Sequence, residues 1–296
     1  MEEIIVTVFT ATYNRGYIIN ELYQSLNKQT DFRFEWIVVD DGSNDNTENM
    51  FRIWKQEQTK FDIQYYKKPN GGKHRAINYG IKKAKGRLFF IVDSDDRLPF
   101  FCISQIIEWE KSIDKADKFA GFSGNIGYIT KTNKIIGKSF EGKFIDAKYT
   151  EREKNNIMGD KAEVYFTNIL KRYPFPEFKN ENFITERVVW DKIAEDGYKI
   201  RWFNKIIYLA EYLPDGLSKN GDDVFKNNPK GNAYNIKQME RIYNYSYIEK
   251  LKDYNSYYEM EKDSISIKDM CENLKIRVTT LIMAILIAKI YRKIKY

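Results

Sequence analysis

Three carboxylates stand within four residues, Asp93, Asp95 and Asp96, directly behind the apolar run Leu88-Phe89-Phe90-Ile91-Val92. Carboxylates this close repel one another, and a bound divalent cation reverses the sign of that interaction. Mg²⁺ or Mn²⁺ takes oxygen ligands and is held through one or two carboxylates together with substrate phosphate oxygens, so the chemistry that suits this triplet is the binding of a metal diphosphate. A polar turn or helix cap ahead of Pro99 is the other reading of the same residues.

Two further clusters have the same character. In Asp40-Asp41-Gly42-Ser43-Asn44-Asp45, Asp41 can accept a hydrogen bond from a nucleobase imide or a ribose hydroxyl, while an Asp-Gly turn leading into a capped helix explains it without a ligand. In Asn70-Gly71-Gly72-Lys73, two glycines and a cation open a helix, where backbone amides and the helix dipole favour phosphate. Lys73 is the phosphate or base contact there, against a simple turn, and the Walker spacing is missing. His74 is the only histidine and is given no role, since a lone histidine is more often a surface or packing residue.

Short apolar runs alternating with amphipathic ones must position these clusters. Strands are expected over 4–10, 34–40, 62–67 and 88–93, and helices over 18–27, 45–58 and 73–84, the pattern of a parallel sheet covered by helices. Thr10 to Arg15, Asp40 to Ser43 and Asp93 to Asp96 then leave the carboxyl ends of three strands on one sheet edge, where open α/β sheets bind ligands. Antiparallel strands are expected near 119–136, around a turn at 131–134. A helix over 182–195 and strands over 199–203 and 206–212 follow. A polar stretch at 220–231 divides residues 1–220, with a nucleotide-binding half (1–100) and an acceptor half (101–220), from a helical extension over 221–296.

With 296 residues, 43% apolar and 16% aromatic, the chain can bury a full core. Cys102 and Cys271 fit no metal spacing and read as reduced thiols. Residues 1–12 carry no basic stretch or small-residue cleavage site, so a cytoplasmic protein is expected. Six of the seven net positive charges lie in residues 274–296, which hold no acid. Such a distribution suits a membrane surface and not a nucleic-acid groove. The apolar run 278–288 is about 16 Å long as a helix, too short to span a bilayer. A helix lying on the inner face of the cell membrane is expected, with packing on the core or on a second subunit, as in a homo-oligomer, as the alternative.

Taken in order, TATYNR, VVDDGS, NGGKHRAINYG and VDSDD resemble the amino-terminal signature of the family-2 inverting glycosyltransferases of GT-A fold, an α/β Rossmann-like mixed sheet flanked by helices. GDKAEVY from Gly159, PFPEFKNENFITE ending at Glu186 and EYLPDGLS from Glu211 are similar to the acceptor half of the bacterial capsular branch. The resemblance covers about the first 220 residues. It implies that Thr12, Tyr13, Asn14 and Asp41 cradle a nucleoside, that of UDP in this branch of the family, with Lys73 on base or phosphate. It also implies that Asp93 and Asp95 form the metal-binding DxD element with Mn²⁺ or Mg²⁺, Asp95 being the direct ligand and Asp93 reaching either ribose or metal. The catalytic base maps onto Glu186, followed by Arg187 where many members have Asp. Asp160 and Asp191 are reserves for that role and, with Asp96, acceptor contacts. The implied substrates are a nucleotide-sugar donor and a glycan or polyprenyl-diphosphate-linked oligosaccharide acceptor. The Arg201-Trp202 pair lacks the leading glutamine of processive synthases, which implies one sugar added per encounter. Without the resemblance, Glu186 reads as a solvated helix carboxylate paired with Lys192 or Arg187.

Two other function classes compete. A sugar-phosphate nucleotidyltransferase shares the sheet and acidic cluster but is expected to open with a Gly-rich basic loop, which TATYNR is not. A non-catalytic membrane-associated interaction module predicts no metal-dependent nucleotide binding.

Overall fold

The computed structural model describes residues 3–57, 59–114, 117–131, 133–211 and 221–294. Strands and helices alternate first: β1 (Val6–Thr12), α1 (Ile19–Asn27), β2 (Phe34–Asp40), α2 (Thr47–Trp54), β3 (Asp62–Lys67), α3 (Lys73–Lys83) and β4 (Leu88–Ile91). Then come α4 (Cys102–Lys111), β5 (Phe119–Tyr128), β6 (Phe144–Ala147), β7 (Lys161–Phe166), α5 (Thr167–Leu170), α6 (Arg187–Glu195) and β8 (Lys199–Ala210). The described residues end in helices: α7 (Gly221–Lys226), α8 (Pro229–Ile242), α9 (Tyr247–Glu261), α10 (Ile267–Leu274) and α11 (Val278–Ile294).

The strands form one sheet in the order β3-β2-β1-β4-β7-β5-β8-β6. β1 to β4 are parallel, as helical crossovers require, while β7 enters antiparallel between β4 and β5. β2 is buried at every residue, consistent with a strand covered on both faces. The apolar residues of α1, Ile19, Leu22, Tyr23 and Leu26, recur at helical spacing and are buried. Tyr23 stacks on Trp54 at 4.2 Å, and Trp36 and Phe51 complete that aromatic layer. α3 lies close on β1 because Gly80 has no side chain: a Cβ there would sit 2.2 Å from the Phe9 ring.

The structure departs from the expected boundaries where pairing overrides local pattern. β1 starts and ends two residues late, since its register runs from Val6 opposite Phe34 to Thr12 opposite Asp40. The two strands expected over 199–212 are one, β8, because register shifts against β5 absorb the polar residues between them; Tyr212 lies outside the described residues. The second strand expected before residue 136 shrinks to a bridge between Gly127 and Ile135. The helix expected from 182 begins at Arg187, because Asn228 Oδ1 accepts from the Asn182 and Phe183 amides at 2.7 and 2.9 Å and holds that segment out of helical register.

Two compact units make up the chain. The first is Met1–Phe175 with Val189–Glu211, and the second is Pro176–Val188 with Tyr212–Tyr296. The second has its own core, in which Leu251, Tyr254, Tyr257, Met270, Leu274 and Leu281 are buried. Glu181 caps α8 by accepting from the Lys230 and Gly231 amides, both at 2.8 Å, and Ser246 and Ser266 cap α9 and α10 through reciprocal bonds with Glu249 and Asp269. Both cysteines are buried free thiols.

Candidate active site

In the first unit the parallel register brings Thr12 beside Asp40, and Lys67 of β3 pairs with Asp40 on the other side. The segment after β4 leaves the sheet at the same edge, so the three polar clusters and the start of α3 share one end of the sheet. Hydrogen bonds tie their loops together. The Asn14 amide donates to Ser43 Oγ at 2.8 Å, Asn14 Oδ1 accepts from the Asn44 amide at 2.9 Å, and the Gly16 amide donates to Asp45 at 2.8 Å. Asp40 is fully buried and accepts from the Ser43 amide at 2.7 Å and from the Tyr65 hydroxyl.

Asp41 accepts from the Lys68 ammonium and from the Gly71 and Gly72 amides at 3.0 and 2.7 Å. It therefore organises the turn that opens α3 and aims Lys73. Gly42, at φ +91, makes this possible, because a Cβ there would lie 2.9 Å from the Asn70 backbone nitrogen. Thr12 Oγ1 is buried and has no hydrogen-bond partner among the described residues. The Tyr13 ring is 49% exposed and free to stack.

On the acidic side, Lys73 Nζ lies 2.7 Å from Asp93 Oδ1. Burial, and then the charge of Asp93, raises the Asp95 carboxyl above its ordinary range, with Arg15 and Lys73 pulling the other way. Burial and Asp93 push Asp96 up to about 8. The Tyr208 hydroxyl donates to Asp96 Oδ2 at 2.6 Å and accepts from the Asp93 amide at 2.9 Å, and Arg97 and Leu209 exchange backbone bonds of 3.0 and 2.9 Å. β8 thus fastens the acidic loop from both ends.

Among the described residues no three acidic, histidine or cysteine side chains complete a cage for a metal ion. Crowded oxygen donors whose ionisation their own neighbours oppose nevertheless fit a hard cation whose shell is finished by water and phosphate, the usual habit of Mg²⁺.

The family model described as "Glycosyl transferase family 2" matches residues 7–174, more than half of the chain. The chain belongs to glycosyl transferase family 2. It is a glycosyltransferase, and the match takes in every element that carries the clusters above.

The enzyme is similar to an Escherichia coli protein named UDP-Glc:alpha-D-GlcNAc-diphosphoundecaprenol beta-1,3-glucosyltransferase WfgD. The two are 28% identical over 197 residues, 67% of this chain and 72% of that one. It is 26% identical over 230 residues to the GalNAc(5)-diNAcBac-PP-undecaprenol beta-1,3-glucosyltransferase of Campylobacter jejuni, covering 74% of this chain and 70% of that one. Among solved structures, S. aureus TarS 1-349 in complex with UDP-GlcNAc superposes with a TM-score of 0.64 at 17% identity, over 98% of this chain and 92% of that one. The fold is GT-A, with additional carboxy-terminal helices.

Within this glycosyltransferase the remaining candidate carboxylates belong to different elements. Asp160 is exposed just ahead of β7, and Asp191 is buried on α6. Glu186 is half-buried and stands immediately before α6 and not on it, in the second unit. His74 is buried. Arg201 pairs bidentately with Asp146 at 2.7 Å, and the buried Trp202 indole donates to the Ala147 carbonyl at 3.0 Å, so the Arg-Trp pair secures β6.

Two residues of the site, Tyr208 and Lys68, have no place in the sequence reading, and Arg15 enters it only as the last residue of its cluster. The only signal for Lys68 was its closeness to the Asn70-Gly71-Gly72 turn; for Tyr208 there was none.

Proposed function

We propose that this glycosyltransferase moves one sugar from a UDP-sugar onto a hydroxyl of a lipid-linked glycan in surface polysaccharide assembly, with inversion at the anomeric carbon and a divalent cation. The observation that carries the reading is the gathering, at one sheet edge, of a nucleoside-type cluster (Thr12, Tyr13, Asp41) and a diphosphate-type cluster (Lys73, Asp93, Asp95). The names of the two bacterial relatives, both glucosyltransferases acting on diphosphoundecaprenol-type acceptors, support the acceptor class.

In this mechanism Thr12 and Asp41 hold the nucleoside and Tyr13 covers it. Asp95, with Asp93, would hold Mn²⁺ or Mg²⁺, which supplies Lewis-acid neutralisation of the diphosphate oxygens. Lys73 leaves its pairing with Asp93 to meet the negative charge that develops on the leaving diphosphate, and Arg15 adds to the positive field there. An acceptor hydroxyl is a weak nucleophile at neutral pH, so a carboxylate must take its proton as the glycosidic bond forms; Glu186 is assigned that role, with Asp191 and Asp160 in reserve. A single displacement inverts the anomeric centre.

Calorimetric titration with UDP, with and without Mn²⁺, tests the donor site, and a panel of nucleotide sugars with an undecaprenyl-diphosphate-linked acceptor tests transfer. Metal-dependent UDP binding and a product of inverted configuration are expected. No UDP binding under any metal condition sinks the reading.

A further inference from the structure

The helical unit carries a surface for which the donor chemistry has no use. α11 runs for 17 residues, about 25 Å. Its inner side is ordinary: Leu281 and Ala284 are buried in the core of the second unit. Its outer side is not. Val278, Ile282, Met283, Leu286 and Ile290 are all large apolar residues between 41% and 56% exposed.

At 100° per residue these five fall within an arc of about 140°, and the only other residues of 278–290 in that arc are Thr279 and Lys289. The patch continues onto α9, where Tyr247 and Ile248 are exposed and the Tyr247 hydroxyl lies 3.4 Å from Met283 Sδ. A helix at the surface of a water-soluble unit turns its polar side outward, and a contiguous apolar patch of this kind marks a binding surface.

Charge identifies the occupant. Lys275 and Arg277 precede the helix, Lys289 sits in the exposed arc, and the sequence adds Arg292, Lys293 and Lys295 with no acid from residue 274 onward. A second copy seated on this face would set like charges against like. Anionic lipid headgroups neutralise them, while the interface between headgroups and acyl chains takes the apolar arc. No helix among the described residues is long and apolar enough to cross a membrane, so the helix meets the bilayer from one side.

We propose that the outer arc of α11, with Tyr247 and Ile248, is a docking surface for an anionic lipid bilayer, the helix lying in the plane of the interface while its inner face stays in the core. The sequence pattern set membrane contact and core packing as alternatives; in this geometry two sides of one helix do both. All the residues involved belong to the second unit, so the surface can be tested apart from donor binding.

The test is sedimentation of the full chain with vesicles of zwitterionic lipid, with and without phosphatidylglycerol. We expect at least about tenfold tighter binding to the anionic vesicles, and loss of that binding in the double variant Ile282→Ser, Leu286→Ser, with thermal melting and UDP affinity unchanged. A charge variant, Lys275→Gln with Lys289→Gln, should lose the preference for anionic lipid yet fold normally. Equal binding by the serine variant, or no distinction between the two vesicles, overturns the proposal. So does a dimer in light scattering that the serine substitutions dissociate, since the occupant would then be a second copy. Failure of UDP binding in the unaltered chain would count against the donor site alone.

Discussion

The acidic edge of the first unit and the outer face of α11 are opposites in chemistry and alike in energetics. One crowds Asp93, Asp95 and Asp96 together, so that burial and mutual repulsion hold Asp95 and Asp96 toward the neutral form. The other holds five large apolar side chains in water. Each is unfavourable in the isolated chain, and the partner proposed for each has complementary chemistry, a cation with diphosphate for the first and a lipid interface for the second.

A third region shows that unfavourable chemistry is not itself a site. Glu261 is fully buried, neither of its carboxylate oxygens has a partner among the described residues, and burial followed by the charge of Glu181 pushes it up to about 7. Asp93, whose side chain is 44% exposed, is reachable from solvent, and Glu261 is not. Accessibility separates the Asp93 carboxylate from a buried charge that merely opposes folding.

Four measurements break or sharpen that contrast. Asp95→Asn should lower sugar transfer by at least about a hundredfold and abolish stimulation by Mn²⁺ in a steady-state assay, because the charge on the leaving diphosphate loses its counterweight. Full metal-stimulated activity in that variant would reduce the acidic edge to a polar turn.

Glu261→Gln should stabilise the protein by about 2 kcal/mol at pH 8, read from denaturant unfolding. Here the folded carboxyl stays protonated to about pH 7 while the unfolded one ionises near its ordinary value of 4.5. Stability is therefore lost as pH rises between those values and is level above them, and the variant should flatten that slope.

Tyr208→Phe removes one hydroxyl that serves both Asp96 and the Asp93 amide. Metal-dependent UDP affinity should fall about tenfold while affinity without metal hardly changes, a split that calorimetry resolves and a general loss of stability would not produce. Smallest of all, Lys68→Met should weaken UDP binding about threefold, since it frees Asp41 but leaves the Gly71 and Gly72 amides to hold it.

Much of this was legible in the residue pattern. β2 and β3 lie where their apolar runs put them, α1 and α3 fall within a residue of expectation, and the GT-A fold came from the family resemblance of the ordered motifs. The errors have a common origin. The start of α6 depends on Asn228, some 40 residues away, and the single strand β8 depends on a register shift against β5. Neither leaves a mark in the local sequence.

The sequence by itself determined the parallel strands β1 to β4 and the clusters that follow β1, β2 and β4, because strand period, helix period and turn chemistry are encoded within a few residues. It also determined that a basic, acid-free apolar segment closes the chain. Only the tertiary structure decided that Tyr208 fastens the acidic loop from 112 positions away, that Asp41 shapes the turn that aims Lys73, and that α11 has an inner face in the core and an outer face in water. Those are long-range hydrogen bonds and exposures, set by which surfaces meet when the chain packs, and no local pattern specifies them.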